Sequence, residues 1–375
     1  MWDPRFLHYD FGSDHPFSER SRGLAVDLLR RELGTAGHPV SWSLQVPPAS
    51  RSALERFHDA AYLDLVERAG GLEEPILLDA GDTPSFPGCF EEAARMVAGA
   101  RSGVEWTRSH GRPAFHPAGG LHHAHPDRAS GFCIFNDVAL AVATAVDAGD
   151  RVAYIDIDAH HGDGVMYGYY DSGRVLDIDF HQDGRSLFPG TGFPPEVGEG
   201  DGAGLKVNVP LPPGAGDEAL LPLFRRIVPP LLEEYRPQMI VLQHGVDGHA
   251  GDPLAQLQFT SKAYAEVDRI VLGLATRLCR SRLLVTGGGG YRAESVSRVL
   301  ARAGRLLCGL DEPDDGAPVP DDWRWEFQEA VGYPAPVRWA DPEELRPTPW
   351  RTADEEKLVA ALEASLGRRL PAVGS

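Results

Sequence analysis

The chain has 375 residues, of which 42% are hydrophobic and 24% charged, and its formal net charge is -19. This length suits one large or two ordinary α/β domains. The chain has no run of about 18 apolar residues, so we do not expect a membrane span. The acidic charge argues against nucleic acid as a ligand, because phosphate binding needs a basic surface, and it favours cationic partners through long-range attraction.

The amino-terminal residues contain no basic segment followed by an apolar core, so they do not read as a secretory signal, and we expect a cytoplasmic protein. The four cysteines lie far apart and form no CxxC pair, which predicts reduced, mostly buried thiols rather than a thiolate metal site. They are Cys89, Cys133, Cys279 and Cys308.

Apolar spacing predicts helices and strands that alternate along most of the chain. In chain order these are helices 22–33, 53–69 and 91–107, strand 113–115, helix 137–147, strands 151–156 and 175–179, helix 218–235, strand 239–243, helix 261–280, strand 283–286 and helix 353–366. This alternation predicts a single-domain α/β fold with a mostly parallel central sheet and helices on both faces. The Pro- and Asp-rich residues 312–375 are expected to form a carboxyl-terminal arm packed on residues 1–311.

Unusual polar or glycine-rich segments follow four of the predicted strands. They read LHHAHPDRASGF, IDAHHGDG, HGVDGHAGDP and GGGGY. Open parallel sheets place ligands beyond the carboxyl ends of their strands, so these segments should meet in one crevice.

The second of these segments suggests a metal site. Asp158 and His160 lie two residues apart, which in extended backbone puts both side chains on the same side of the chain. They could share one divalent cation, with Asp247 as a third ligand from a neighbouring strand end. Three protein ligands leave a position open, as in catalytic zinc sites, and the absence of cysteine ligands keeps iron(II) as an alternative.

Carboxylates next to this site are placed to orient catalytic imidazoles. Asp156 precedes the metal ligands and is better placed to accept a hydrogen bond from a histidine than to bind the ion. The adjacent His122 and His123 would supply the imidazoles, with Asp163 orienting the second of them. Two Asp and His dyads beside one metal are therefore expected.

The glycine run 287–290 lacks the lysine of a P-loop and the spacing of a dinucleotide site. It instead allows close backbone approach and would bring the Tyr291 hydroxyl over the metal, where a phenol can donate to an oxyanion. Five further histidines are expected to be turn or surface residues: His125, His161, His181, His244 and His249.

Several long motifs together resemble one known family. PAGGLHHAHPDRASGFCIFND, YIDIDAHHGDGV, FPGTG, QHGVDGHAGDPL and GGGGY, with YDFGSDHP near the amino end, closely resemble the zinc-dependent histone deacetylase superfamily. The bacterial acetoin-utilisation or histone-deacetylase-like branch is nearest, and the resemblance runs in order from about Tyr9 to Leu310. It implies an arginase/deacetylase-like catalytic domain.

The resemblance also implies roles for individual residues. Asp158, His160 and Asp247 would bind zinc. Two dyads would form, His122 with Asp156 and His123 with Asp163. Tyr291 would be the oxyanion donor. Phe132 and Phe188 would form the walls of a narrow acyl-lysine channel, Gly131 and Gly289 would offer backbone contacts along it, and Asp82 would be a rim aspartate that grips the substrate backbone. A potassium ion would be held by Asp156, Asp158, the His160 carbonyl, Asp179 and Phe180, although family members commonly carry Ser or Thr where this chain has Asp179.

The implied activity is removal of acetyl or other acyl groups from the ε-amine of lysine in proteins or peptides, through metal-promoted attack of water. An acetylpolyamine amidohydrolase with the same site is the alternative, and the acidic charge would suit its substrate. No obvious long insertion narrows the channel, which favours lysine. A non-catalytic acyl-lysine binding module has no need of two dyads, and a ureohydrolase such as arginase needs a second metal. The sequence leaves acyl-chain preference and oligomeric state open.

Overall fold

A computed structural model describes residues 1–37, 45–341 and 350–370. Its centre is one sheet of six strands, and every neighbouring pair is parallel. The strands are β1 (Ala114–His116), β2 (Val152–Asp156), β3 (Val175–Gln182), β4 (Lys206–Leu211), β5 (Met239–Gln243) and β6 (Leu283–Thr286). The predicted α/β class with a parallel sheet is confirmed.

Helices surround the sheet. In the described ranges they are α1 (Arg20–Thr35), α2 (Arg51–Leu54), α3 (Ala60–Ala69), α4 (Cys89–His110), α5 (Asp137–Asp147), α6 (Asp163–Gly168), α7 (Asp217–Tyr235), α8 (Ser261–Cys279), α9 (Ala293–Leu307), α10 (Asp321–Val331) and α11 (Thr352–Leu366), with 3-10 turns at Pro4–His8 and Gly200–Gly202. None of these helices is both long enough and apolar enough to cross a membrane.

The strands are buried on both faces, as β2 illustrates. Ala153 and Ile155 pack in a core with α7, α8 and α9, whereas Val152 and Tyr154 pack on the opposite face with α4 and α5. Alternate residues of a strand point to opposite faces, so a sheet covered by two helical layers needs apolar residues at nearly every strand position. This explains the continuous apolar runs that mark the strands.

The strand order β1-β6-β5-β2-β3-β4 sets the position of the crevice. The chain leaves β2 towards β3 and β4 and later returns on the other side of β2 as β5. Asp156 at the end of β2 is in register with Gln243 at the end of β5. The connections after these two neighbouring strands diverge, and such a switch point is where parallel sheets bind ligands.

The predicted strands are confirmed to within a few residues, but β4 was missed. Lys206, Asn208 and Pro210 interrupt its apolar pattern. As an edge strand β4 pairs only with β3, so proline can be accommodated there. The Lys206 ammonium is buried and donates to the Val175 carbonyl at 2.7 Å.

One helical prediction is corrected, and three helices, α6, α9 and α10, were not predicted. The single helix expected over 53–69 is divided into α2 and α3, because the chain turns between them and the Asp59 amide donates to the Pro126 carbonyl at 2.8 Å. Helix α9 was not predicted, since Arg298 and Arg302 occupy its buried side. Arg302 is neutralised there by Glu312 and Asp315.

Parts of the carboxyl-terminal arm contact the main domain. The Trp323 indole of α10 donates to the Leu24 carbonyl of α1 at 2.8 Å. Val359 and Leu362 of α11 join the core that contains α7. These contacts support our proposal of an arm on one domain with a boundary near Asp311, while residues 342–349 and 371–375 lie outside the described part of the chain.

The first turn of α5 connects the fold to the crevice. Asn136 is its N-cap, and its Oδ1 accepts from the Ala139 amide at 2.8 Å. Its Nδ2 donates to the His122 and Ala124 carbonyls, both at 2.9 Å. One buried side chain therefore caps a helix and holds the segment after β1.

Replacing Asn136 with alanine should lower the free energy of unfolding by about 2 kcal/mol or more, because the cap is lost and two buried carbonyls lose their donor. Asn136→Ser keeps a capping oxygen and should destabilise less. Urea denaturation of both variants measures the difference. An alanine variant as stable as the wild type would contradict this role.

Candidate active site

The four polar segments after β1, β2, β5 and β6 meet at the carboxyl edge of the sheet, in the crevice beside β2 and β5. The Gly289 amide, after β6, donates to Asp158 Oδ2, after β2, at 2.7 Å. An added Cβ at Gly289 would lie 2.0 Å from Asp247 Oδ2, after β5. Only glycine permits three of these segments to approach so closely.

Asp158, His160 and Asp247 form a buried group whose possible ligand atoms all lie within 4.8 Å of one another. His160 Nδ1 is 2.8 Å from Asp247 Oδ2 and 3.2 Å from Asp158 Oδ1. The other Asp247 oxygen accepts from the Ala159 amide at 2.7 Å. Backbone donors therefore fix the carboxylates, while one oxygen of each lies near His160 Nδ1.

The charge of this group suits a cation. Two carboxylates and one imidazole are buried together, and such charges are costly unless something compensates them. Burial alone would lower the pKa of His160, but Asp247 and Asp158 outweigh it and raise that pKa to about 10. The site attracts positive charge, and its oxygen and nitrogen donors fit zinc or iron(II).

The first dyad joins His122 to Asp156, with His122 Nδ1 2.7 Å from Asp156 Oδ2. Tyr154 also donates to that oxygen, and the Asp158 amide donates to Asp156 Oδ1. Burial lowers the pKa of His122, but the charges of Asp156 and Asp158 outweigh it and raise the pKa to about 10. His122 is therefore held as an imidazolium.

The second dyad joins His123 to Asp163, with His123 Nδ1 2.8 Å from Asp163 Oδ1. His125 Nε2 contacts the other Asp163 oxygen at 3.1 Å, so two imidazoles share this carboxylate. Burial and the charge of His122 lower the pKa of His123 to about 4. His123 is therefore neutral, and its Nε2 lies 3.1 Å from His122 Nε2.

Tyr291 lies beside the same crevice and is partly buried. Its backbone amide donates to Asp252 Oδ2 at 2.8 Å, and Asp252 belongs to the segment that also carries Asp247. Burial raises the pKa of the Tyr291 phenol well above its usual value, so the hydroxyl keeps its proton and can donate.

Two phenylalanines border the crevice on different sides. Phe132 packs edge-on against Tyr291 with ring centroids 6.0 Å apart, whereas the Phe188 ring is 5.1 Å from that of His123. Phe188 is 48% exposed and Phe132 is buried. Gly131 lies between His123 and Phe188, where an added Cβ would be 2.6 Å and 2.9 Å from them.

Asp82 is exposed near Phe132, as a rim residue would be. The next residue, Thr83, accepts from the Phe132 amide through its hydroxyl at 3.0 Å. His15 Nε2 lies 3.0 Å from the Asp82 carbonyl, and its ring packs edge-on against Phe132 at 4.6 Å. The rim segment is thus joined to the phenylalanine wall.

Asp179 is buried close to Asp156, with which it is in register, and Phe180 follows it into the core. Its two oxygens already have partners, since Oδ1 is 2.7 Å from His181 Nδ1 and Oδ2 accepts from the Gly162 amide at 2.7 Å. The Asp179 carboxylate is therefore paired with an imidazole.

Sequence reasoning misjudged five histidines and missed several supporting residues. His125, His161, His181, His244 and His249 are all buried, so the expectation of turn or surface residues is wrong. Gln243 was missed, although it ends β5 and its Nε2 donates to Asp158 Oδ2 at 2.9 Å. A polar residue at the end of a buried strand was the signal that could have indicated it.

A separate cavity of about 570 Å³ lies between the segment after β4 and α11, lined among others by Pro212 and Leu358. It shares no residue with the metal group or the dyads. This cavity is therefore distinct from the candidate active site.

A parallel α/β sheet with a buried Asp and His group that could hold a metal, and with two Asp and His dyads at its switch point, is the arrangement expected of a metal-dependent hydrolase. A family model for the histone deacetylase domain matches residues 15–307. The acetoin utilization protein AcuC of Bacillus subtilis (strain 168) is 35% identical over 359 residues, which cover 92% of this chain and 90% of that protein. AcuC of Staphylococcus xylosus is 34% identical over 347 residues, covering 90% and 89%.

Among solved structures, the crystal structure of the HDA15 HD domain superposes with a TM-score of 0.71 at 27% identity, covering 82% of this chain and 90% of that one. The chain belongs to the histone deacetylase family, in its bacterial AcuC-type branch. It is a deacetylase of the hydrolase class.

Proposed function

We propose that this deacetylase removes acetyl groups from the ε-amine of lysine in proteins or peptides, using a divalent metal that is zinc or, alternatively, iron(II). The observation that carries the proposal is the pair of dyads, whose imidazole Nε2 atoms lie 3.1 Å apart beside the metal group. A site that only binds acyl-lysine has no need of two oriented proton carriers.

Asp158, His160 and Asp247 would hold the metal, because they are the residues whose ligand atoms converge. A divalent cation bound there supplies a Lewis acid for the acetyl carbonyl and for water. The Gly289 and Ala159 amides keep the two carboxylates oriented towards it.

His123 is the proposed general base. Asp163 accepts from its Nδ1, so Nε2 is unprotonated and is the atom that would take the proton of the attacking water. His122 carries a proton at the facing Nε2 and is the proposed source of the proton that the leaving amine receives. The reaction yields acetate and the free amine.

Tyr291 is the proposed donor to the oxyanion that forms when water attacks the acetyl carbon. Its phenol stays protonated, and Asp252 fixes its backbone next to the metal segment. A donor held in place before the reaction stabilises the developing charge more than water does.

The channel is proposed to lie between Phe132 and Phe188, whose rings would cover the lysine methylenes, with Gly131 and Gly289 offering backbone contacts. Asp82 is proposed to grip the substrate backbone at the rim, since it is exposed and held near Phe132. The half-exposed Phe188 ring leaves this entrance accessible to a peptide. The sequence carries no obvious long insertion that would narrow the channel, which favours acyl-lysine over the acetylpolyamine alternative.

A potassium ion next to Asp156 and Asp158, with the His160 carbonyl, Asp179 and Phe180, remains part of the proposal as a structural ion. Its support is the density of buried carboxylates at the ends of β2 and β3. The pairing of Asp179 with His181 already compensates the additional charge that this chain places there.

Asp247→Ala should lose the bound metal, because it removes one of three ligands. Elemental analysis after zinc loading should give well under one zinc per chain, against about one for wild type. Asp321→Ala, which removes a carboxylate whose side chain is 93% exposed, is the matched control and should keep its zinc. Full zinc content in Asp247→Ala would rule out this ligand role.

Tyr291→Phe should lower kcat on an acetyl-lysine peptide by about 10²-fold, since only the donor hydroxyl is removed. Zinc content should be unchanged, because Tyr291 is not in the metal group. Steady-state kinetics and elemental analysis on the same preparation check both statements. Wild-type turnover by the variant would exclude the oxyanion role.

Zinc- and iron(II)-loaded enzyme should hydrolyse an acetyl-lysine peptide with a kcat/KM at least about tenfold above that for acetylspermidine or acetylputrescine, because only the peptide can use the rim contacts. Acetate release measures all three substrates. Preference for a polyamine would select the alternative, and no acetate from fully loaded enzyme would favour a binding module.

A further inference from the structure

The segment that presents Phe188 is fixed at its far end by two buried histidines. We call residues 184–193, between β3 and β4, the Phe188 loop. Phe188 points towards the site, with its ring 5.1 Å from His123 and 6.4 Å from His160. Thr191 and Gly192, three and four residues further on, are where the histidines contact the loop.

His161 directly follows the proposed ligand His160, yet it points away from the metal group. Its Nδ1 is 2.8 Å from Thr191 Oγ1, and its Nε2 is 3.3 Å from Met166 Sδ. Both ring nitrogens therefore have partners outside the reaction centre. A buried imidazole so occupied has no free atom with which to exchange a proton with substrate or water.

His181 holds the next residue of the loop. Its Nε2 donates to the Gly192 carbonyl at 2.9 Å, and its Nδ1 is 2.7 Å from Asp179 Oδ1. Because both nitrogens face acceptors, the ring is locked between β3 and the loop. The Asp179 carboxylate thereby orients His181, which donates to the loop carbonyl.

The two histidines also pack against each other and against Gly192. Their ring centroids are 4.8 Å apart. An added Cβ at Gly192 would lie 2.4 Å from His181 Nε2 and 2.7 Å from His161 Cγ. The backbone there has a φ of +82°, which favours glycine and leaves no space for another side chain.

We propose that His161 and His181 form a clamp on Thr191 and Gly192 that fixes the wall position of Phe188, so that the second histidine of the HH pair is a positioning residue for substrate binding. The proposal rests on the proposed function, because it assigns Phe188 to the substrate channel. The clamp residues do not contact Tyr291 or the histidines of the two dyads through any hydrogen bond of the described chain. Loosening the clamp should therefore weaken substrate binding and leave the chemical step intact.

Thr191→Val tests the clamp without touching a neighbour of the metal ligands, because valine has the shape of threonine and lacks its hydroxyl. We expect KM and the equilibrium Kd for an acetyl-lysine peptide to rise about fivefold to tenfold, with kcat changed by less than about twofold and zinc content unchanged. Thr191→Ser keeps the hydroxyl and should restore wild-type values. Kinetics give KM and kcat, and fluorescence anisotropy in the slow Tyr291→Phe background, with and without Thr191→Val, gives Kd.

Phe188→Ala provides the second comparison, since the clamp is proposed to act through this ring. Adding Thr191→Val to Phe188→Ala should change KM by less than about twofold. The clamp would be overturned if Thr191→Val left KM and Kd unchanged or lowered only kcat. It would also be overturned if the effects of Thr191→Val and Phe188→Ala on KM were fully additive.

The outcomes separate the clamp from the proposed function. A wild-type chain that binds the peptide without releasing acetate overturns the proposed activity alone, because the Kd comparison still tests the clamp. A wild-type chain that neither binds nor hydrolyses the peptide overturns both.

Discussion

Three buried carboxylates, Asp156, Asp158 and Asp247, meet where β2 and β5 end, and compensation of their charge is the constraint on which the rest of the site depends. Each accepts hydrogen bonds, from the Gly289 amide and Gln243 for Asp158, from the Ala159 amide for Asp247, and from His122 and Tyr154 for Asp156. Among these donors only His122 carries a positive charge, so a cation is still favoured between the carboxylates. The same requirement that favours a cation at this position therefore also determines how closely the surrounding segments approach.

The close approach in turn explains the small residues around the site. Gly245 and Gly289 each stand where a Cβ would be 2.0 Å from a proposed metal-ligand carboxylate. Polar side chains behind the site also hold it in place, and Asn136 is an example. It caps α5 and donates to the backbone carbonyl of His122. Rigid placement of this kind is what a reaction needs when its donors must be in position before charge develops.

The two neighbouring imidazoles differ because their surroundings differ. His122 faces Asp156 and Asp158 and is held charged, whereas His123 lies beside that charge and is held neutral. Two equal side chains thereby take the proposed acid and base roles. The proposed substrate binding rests on a separate set of contacts, in which the Phe188 loop is joined to β3 and to the segment after β2 through His181 and His161. The proposed chemistry and the proposed substrate binding would then depend on different residues.

Local sequence determined most strands, most helices and the pairing of Asp158 with His160 as candidate ligands, because apolar periodicity and the two-residue spacing of these residues are properties of adjacent positions. Only the tertiary structure decided which distant groups meet. Thr191 as the partner of His161, His125 as a second partner of Asp163, and the pairing of the interrupted strand β4 with β3 all depend on contacts between segments far apart in the chain. The same holds for the break between α2 and α3, where the partner is Pro126. Periodicity within one segment carries no information about the segment that will pack against it, so these partners follow from the fold alone.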